Sequence, residues 1–295
     1  MGKWKKEGIS EGMPKIKCIA LDLDGTLLDS QGRLSKGNRQ ALEEVIKKGI
    51  HVIIASGRAF STLPQEIREF PGIEYVITSN GAAMYHLPSG NCLKQVCLEA
   101  TDVEAILEAI AQEPVGCEAF IEGKAYAGKE YFDYPLTFGG TPRTADYIRS
   151  TRHRVEDIRK FIFENKSRLD SIDVVTGQKE IKKRIREKVK PVTKSVYLTG
   201  ASPWLLEISH SQAGKHQGLH FLLTELGLSA KELAAFGDGE NDMDMLSYAG
   251  YGIAMENAVL SCKEVADKVT KCQDEDGVAY GLREILKIIS KKIII

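Results

Sequence analysis

Short apolar runs alternate with amphipathic helical segments over the first third of the chain. The runs IKCIALDLD, HVIIAS and EYVITS are separated by the segments SKGNRQALEEVIKKG and STLPQEIREF. In the first segment Ser35 can cap the start of a helix and Gly49 its end. Buried strands that alternate with helices are typical of parallel β-α-β units, with helices on both faces of the sheet. The sequence therefore predicts an α/β fold.

The pattern changes in the middle of the chain and then returns. Helices and strands follow one another without regular alternation in the middle, where TDVEAILEAIAQE starts with a capping box from Thr101 to Glu104. From Gln212 onward the alternating pattern resumes. We therefore expect a smaller α+β domain inserted into the first one. The predicted boundaries are 1–98 for the first part of the core, with 1–14 as a loose tail, 99–209 for the insert, and 210–295 for the second part of the core.

The composition favours an ordinary globular protein whose overall charge does not point to nucleic acid or an anionic membrane as its main partner. The chain has 295 residues, of which 43% are hydrophobic, and its 40 basic residues nearly cancel 41 acidic ones. No apolar run approaches the roughly 20 residues that span a bilayer. In the basic segment QKEIKKRIREKVK, Ile181, Ile185 and Val189 recur every four residues, which indicates an amphipathic helix with a solvated charged face. We expect a cytoplasmic protein that binds neither nucleic acid nor membrane.

Acidic residues follow two of the predicted strands. Asp22 and Asp24 end the run CIALDLD, and Asp238 and Asp242 follow the run ELAAF within GDGENDMDML. Because the ends of parallel strands lie side by side, these four residues can converge on one point. Their mutual repulsion would be severe without a cation, and oxygen ligands favour Mg²⁺.

A second set of residues can bind an anion beside that cation. Ser56 and Gly57, in the segment ASGR, offer a hydroxyl and a backbone N–H at a third strand end. Lys215 precedes a predicted helix and supplies a positive charge. The sequence thus predicts that the aspartates face both a cation and a phosphate.

These segments resemble the four motifs of the haloacid dehalogenase superfamily. The motifs are DLDGTL, ASGR, AGKHQGL with Lys215, and GDGENDMDML, in that order. The insert, together with SNGA, GIAMENA and DEDGVA, is similar to the Cof-type phosphatase branch with its C2B-like cap. The match covers nearly the whole chain except the N-terminal tail and the middle of the insert. The resemblance implies a Rossmann-like core and an inserted α+β cap domain.

The resemblance also implies catalytic roles. Asp22 would be the nucleophile that forms an aspartyl-phosphate, and Asp24 the acid and then the base. Mg²⁺ would bind the Asp22 carboxylate, the backbone carbonyl of Asp24, and Asp238. Asp242 would support this metal shell through water or through Lys215. The residues that would hold the phosphoryl oxygens are Ser56, Gly57, Lys215 and Asn241.

The favoured hypothesis is a Mg²⁺-dependent phosphatase of a small phosphorylated metabolite, either a sugar phosphate or a phosphorylated cofactor. The insert would act as a lid that selects the leaving group. Two alternatives stay open: a sugar phosphomutase, and a non-catalytic protein that senses or binds phosphate. A binder has no need for the second acid, Asp24, so the sequence favours an enzyme.

Other residues near the motifs have two interpretations. Arg58 either meets a phosphate or faces solvent, and Asn80 with Gly81 forms a turn that the family places near the site. In the insert, Glu122, Tyr126 and Tyr131 lie in a stretch that can reach substrate, although aromatic packing is the simpler explanation.

Overall fold

Two β-sheets organise residues 15–290, the part of the chain that the computed structural model describes. The predicted loose tail at 1–14 and the terminal KKIII lie outside these residues. Within residues 15–290, no helix combines the length and the apolar character that crossing a bilayer requires. The strands are β1 Cys18–Leu21, β2 His51–Ala55, β3 Tyr75–Thr78, β4 Ala83–His86, β5 Asn91–Gln95, β6 Gly116–Ile121, β7 Lys124–Gly128, β8 His153–Val155, β9 Leu169–Val175, β10 Val196–Thr199, β11 Leu205–His210, β12 Leu233–Gly237, β13 Tyr251–Ala254 and β14 Lys268–Val269.

The larger sheet forms the core, with the strand order β14-β13-β12-β1-β2-β3-β4-β5. The pairs from β14 to β3 are parallel. The last two strands, β4 and β5, pair antiparallel and form a hairpin at the edge of the sheet. The central strands β1 and β12 are wholly buried, as expected for a parallel sheet that is covered on both faces. The predicted α/β fold with a parallel sheet is confirmed.

Helices connect these strands and cover both sheets. They are α1 Lys36–Lys47, α2 Gln65–Arg68, α3 Ala100–Ala109, α4 Lys129–Asp133, α5 Pro142–Thr151, α6 Ile158–Glu164, α7 Lys179–Val192, α8 Lys215–Glu225, α9 Met243–Tyr248, α10 Leu260–Val265 and α11 Gly277–Tyr280. At the start of α1 the Ser35 side chain accepts a hydrogen bond from the Asn38 N–H, so the predicted cap is confirmed.

The predicted capping box at the start of α3 is wrong. The helix begins at Ala100, and Glu99, which precedes it, makes no side-chain cap. Thr101 therefore lies inside the first turn rather than before it. The physical reason is that the Leu98 N–H is bonded to the Leu169 carbonyl of β9, which fixes the chain there and starts the helix two residues earlier than the local signal suggests.

The second sheet belongs to the insert and has the strand order β10-β11-β9-β6-β7-β8. One face of it packs against α3, α6 and α7 through a hydrophobic cluster of its own. Ile181, Ile185 and Val189 of α7 are buried in this cluster, which confirms the amphipathic interpretation of the basic helix. Burial of side chains of this size contributes about 1.5–3 kcal/mol each. The opposite face of the sheet is turned toward the core.

The chain passes between the two sheets twice, and both connecting segments form hydrogen bonds with one short segment of the core. On the way out, the Val96 N–H donates to the Ala82 carbonyl at 2.7 Å. On the way back, the Gly214 N–H donates to the Asn80 carbonyl at 2.7 Å. We refer to the six-stranded sheet and its helices as the cap, and to the eight-stranded sheet and its helices as the core.

Candidate active site

The site begins where three parallel core strands end. In β1, Leu21 pairs with Phe236 of β12 on one side and with Ile54 of β2 on the other. The residues that follow these strands, among them Asp22, Asp238 and Ser56, therefore emerge at one edge of the sheet. They line a cavity of about 550 Å³ between the core and the cap.

Lys215 forms the centre of the buried part of the site. Its Nζ donates to Asp22 Oδ1 and to Asp242 Oδ1, both at 2.6 Å, and its side chain has no exposed surface. Burial would lower the pKa of Lys215, yet these two carboxylates raise it above its ordinary value. The lysine is thus held as a cation, since its two anionic neighbours outweigh the cost of burying the charge.

The loop before α8 places Lys215 by a close backbone contact. Gly214 precedes the lysine with a φ of +113°, a conformation that favours glycine. Gly81 packs directly against it, and a Cβ at Gly81 would lie 2.2 Å from the Gly214 carbonyl oxygen. The turn at Asn80 and Gly81, predicted from sequence, therefore fixes the start of α8.

Three carboxylates lie close enough to share one cation. Oxygens of Asp22, Asp238 and Asp242 are all within 4.8 Å of one another. Burial and the neighbouring carboxylates raise the pKa of Asp22 well above its ordinary value, and burial with Asp242 raises that of Asp238 to about 7. A divalent cation would relieve this repulsion, and a set of oxygen ligands alone fits Mg²⁺.

Asp242 is placed behind the other two carboxylates. Its Oδ2 accepts hydrogen bonds from the backbone N–H groups of Asp238 and Gly239, at 2.9 and 3.0 Å, while its Oδ1 accepts from Lys215. Both oxygens are therefore already engaged. This arrangement suits a residue that orients Lys215 and the Asp238 backbone better than one that binds a metal directly.

The carboxylate of Asp24 does not join this cluster, contrary to the predicted convergence of all four aspartates. It pairs instead with Arg58, which donates from Nε to Oδ2 at 2.7 Å and from Nη2 to Oδ1 at 2.6 Å. The guanidinium also stacks on the ring of Tyr147 from the cap, at 4.6 Å from its centroid. The sequence allowed two surroundings for Arg58, a phosphate or solvent. The structure instead pairs it with Asp24.

Three of the predicted phosphate-binding residues, Ser56, Gly57 and Asn241, line the same cavity, whereas Lys215 is buried beneath it. Ser56 Oγ accepts from the Arg58 backbone N–H at 3.1 Å, which turns the loop after β2 tightly. Gly57 is approached closely by the cap, because a Cβ there would lie 2.9 Å from Glu207 Oε1. Asn241 lines the cavity and donates through Nδ2 to Asn80 Oδ1 at 3.0 Å.

Asn80 connects the core to the cap, a role that the sequence did not reveal. It accepts from Asn241 and donates through Nδ2 to Glu207 Oε1 of the cap at 2.8 Å. Its φ of +53° lies in the left-handed region, which asparagine tolerates better than most residues. The segment SNGA carried only a turn signal, because the partner of Asn80 comes from a strand far along the chain.

The cap forms the other wall of the cavity. Of the three cap residues singled out from sequence, Tyr131 lines this cavity, whereas Glu122 pairs with Arg168 and Tyr126 packs its ring against Phe161. The cap residues that contribute charge or aromatic surface are Glu118, Phe120, Tyr131, Phe138, Arg143, Tyr147, Arg152, Asp173, Trp204 and Glu207.

Comparison with known proteins places this geometry in a family. Residues 19–282 match the family described as haloacid dehalogenase-like hydrolase. The chain belongs to the haloacid dehalogenase superfamily of hydrolases. The predicted membership is confirmed, and with it the expectation that the chain is an enzyme.

Individual relatives agree with this assignment. Phosphatase YwpJ of Bacillus subtilis strain 168 is 31% identical over 288 residues, which cover 92% of this chain and 100% of the relative. The 5-amino-6-(5-phospho-D-ribitylamino)uracil phosphatase YcsE of the same organism is 27% identical, with 91% and 95% covered. A haloacid dehalogenase-like hydrolase structure from B. subtilis superposes with a TM-score of 0.79 at 29% identity, covering 92% of this chain and 100% of that one. The haloacid dehalogenase family therefore extends over both core and cap.

Proposed function

We propose that the chain is a Mg²⁺-dependent phosphatase that hydrolyses a small phosphorylated metabolite, such as a sugar phosphate or a phosphorylated cofactor, through an aspartyl-phosphate. Phosphatase activity agrees with the family and with the relatives described above. The observation that carries the proposal is the contact of the buried Lys215 with Asp22 at 2.6 Å, where Asp22 lines the same cavity as Asp24, Ser56 and Gly57. The cap roofs this cavity, so a small substrate fits better than a folded protein.

In the first step an oxygen of Asp22 attacks phosphorus, and the bond from phosphorus to the leaving oxygen breaks. Asp24 gives its proton to that oxygen. In the second step Asp24 takes a proton from water, the water oxygen attacks phosphorus, and the bond to Asp22 breaks. Inorganic phosphate leaves and both aspartates return to their starting states.

The remaining residues hold the transferred group. Lys215, Asn241, and the hydroxyl and N–H groups of Ser56 and Gly57 would face the phosphoryl oxygens, whose charge must be stabilised in the transfer. Mg²⁺ would be held by the carboxylates of Asp22 and Asp238 with the Asp24 backbone carbonyl. When bound, it would supply positive charge to the phosphoryl group.

The test is hydrolysis of p-nitrophenyl phosphate by wild type and by Asp22→Asn, with and without Mg²⁺. The variant is expected to lose more than about 1,000-fold in kcat, because the amide is a poor nucleophile. Acid-quenched wild type should carry a phosphoryl group on the peptide that contains Asp22. Asp146→Asn, on the exposed face of α5, is the matched control. Full activity of Asp22→Asn would exclude the mechanism, and isomerisation of a hexose phosphate without release of phosphate would indicate a mutase.

A further inference from the structure

A row of three carboxylates crosses the cap sheet and faces the cavity. Asp173 of β9 lies in register with Glu118 of β6 on one side and with Glu207 of β11 on the other. Because residues in register on neighbouring strands share a face, their side chains form one row, and all three line the cavity. The neighbours of Asp173 along β9, Ile172 and Val174, belong to the hydrophobic cluster on the other face.

The two outer carboxylates of this row have partners within the protein. Arg152 donates to Glu118 from Nε at 2.7 Å and from Nη2 at 3.3 Å. Glu207 accepts from Asn80 Nδ2 at 2.8 Å and from the Ala201 N–H at 2.9 Å. Each outer carboxylate therefore has a donor on both of its oxygens.

Asp173, in the middle of the row, has no such partner. Among residues 15–290, no hydrogen bond or ion pair reaches its carboxylate, although only 6% of the residue is exposed. Burial, Glu207 and Glu118 raise the pKa of Asp173 well above its ordinary value. A buried carboxyl group without a partner lowers the stability of the folded protein, so groups of this kind usually bind a ligand or water.

The surroundings define the ligand chemistry. An ionised Asp173 accepts hydrogen bonds and a protonated one also donates, and a hydroxyl group can satisfy either form. A carboxylate or second phosphate at the same place would face three acidic residues. Of the cavity's arginines, Arg58 and Arg152 are already paired with acids, and Arg143 is exposed and lies against Gly32 of the core.

We propose that Asp173 binds a hydroxyl group of the leaving group, so that the cap selects polyhydroxylated phosphate monoesters and rejects those with a second anion at that position. This inference rests on the proposed phosphatase function. It adds a residue that determines specificity, at a place in the cap far along the chain from the four motifs.

Pairs of substrates that differ only at the end of the leaving group test this. Sorbitol 6-phosphate is compared with 6-phosphogluconate, and glycerol 3-phosphate with 3-phosphoglycerate, since each pair exchanges a hydroxymethyl group for a carboxylate. Wild type is expected to prefer the polyol of at least one pair in kcat/KM by about tenfold or more. Asp173→Val should lose about tenfold or more on that polyol, with a much smaller loss on p-nitrophenyl phosphate, whose ring carries no hydroxyl. Asp173→Asn should reduce the preference for the polyol phosphate, because it should improve turnover of the substrate of the pair that carries the carboxylate.

Thermal unfolding gives an independent readout. Because both substitutions remove an unpartnered buried carboxyl group, we expect higher unfolding midpoints for Asp173→Val and Asp173→Asn, and no change for the exposed control Asp146→Asn. Unchanged substrate ratios in both variants, or lowered midpoints, would overturn the role of Asp173 while leaving the phosphatase in place. Absence of Mg²⁺-dependent turnover of p-nitrophenyl phosphate by wild type would overturn the proposed function and this inference together.

Discussion

The guanidinium of Arg58 contacts both carboxylate oxygens of Asp24, at 2.7 and 2.6 Å. A two-point contact of this kind fixes the plane of the carboxylate as well as its position. Asp24 is the proposed acid and then base, so Arg58 is a positioning residue for both steps: the pair orients the carboxylate, and one of its two contacts is released when Asp24 carries the proton that it gives to the leaving group.

Arg58→Met should therefore lower kcat by about 100-fold on an alkyl phosphate, whose alkoxide leaves poorly without a proton. The loss on p-nitrophenyl phosphate should be smaller, because p-nitrophenolate leaves readily by itself. Steady-state kinetics on both substrates measure the difference. Combining Arg58→Met with Asp24→Asn should add little to the loss of Asp24→Asn alone. Equal losses on both substrates would show that Arg58 supports the structure of the site rather than proton transfer to the leaving group.

Tyr147 extends this contact into the cap. Its ring lies under Arg58 at 4.6 Å and under Arg152 at 4.5 Å, and its hydroxyl is 3.4 Å from Thr62 Oγ1. Tyr147→Leu removes the aromatic face from both arginines and should lower kcat/KM about 3- to 10-fold, in line with the loss of the cation–π contact that supports Arg58. Tyr147→Phe keeps the ring and should stay close to wild type. If Phe and Leu have the same effect, the hydroxyl rather than the ring carries the interaction.

Mg²⁺ should stabilise the folded protein by binding the carboxylates of Asp22 and Asp238. A ligand at 100 times its Kd adds about 2.7 kcal/mol to the free energy of unfolding. Differential scanning fluorimetry is therefore expected to show a higher midpoint in MgCl₂ than in EDTA for wild type. Asp238→Asn should abolish this shift, whereas Asp146→Asn should retain it. A full shift in Asp238→Asn would place the ion elsewhere.

Glu113 gives the cap a contribution to stability that depends on pH. Arg184 and Lys188 of α7 donate to its two oxygens at 2.5 and 2.6 Å, and these bonds lower the pKa of Glu113 from an ordinary value of 4.5 to about 2. A lowered pKa in the folded state means that the stabilisation is complete above pH 4.5 and disappears as the pH falls toward 2.

Glu113→Gln should consequently lower the unfolding midpoint at pH 7 by about 2–4 °C. Below pH 4.5 the difference from wild type should shrink steadily. Thermal scans between pH 7 and pH 3 measure this trend. A difference that stays constant over the whole range would mean that the ion pairs contribute nothing and that the substitution acts through packing.

The core could be predicted from sequence because its signals are local and its geometry is repetitive. Strand, helix and strand follow each other within about 30 residues, as in any β-α-β unit, so the positions of Asp22 and Ser56 at one sheet edge follow from topology alone. The same reasoning places Asp238 beside them, since β12 joins the parallel sheet next to β1.

The cap side of the site could not be predicted in this way. Asp173, Glu118 and Glu207 share a row only because β6, β9 and β11 pair in one particular register, and that register depends on contacts spread over 90 residues. The partner of Arg58 was equally hidden, because a short motif shows that a charge is present but not which carboxylate it meets. The predicted start of α3 was wrong for a related reason, since a hydrogen bond from Leu98 to β9 outweighs the local capping signal.

The two crossings between core and cap, at Val96 and Gly214, both bond to residues 80–82. Both segments that connect the cap to the core are thus attached at one place, and loss or replacement of the cap would leave the order of the core strands intact. Evolution can therefore exchange the part that recognises the leaving group while the part that breaks the phosphate ester stays as it is.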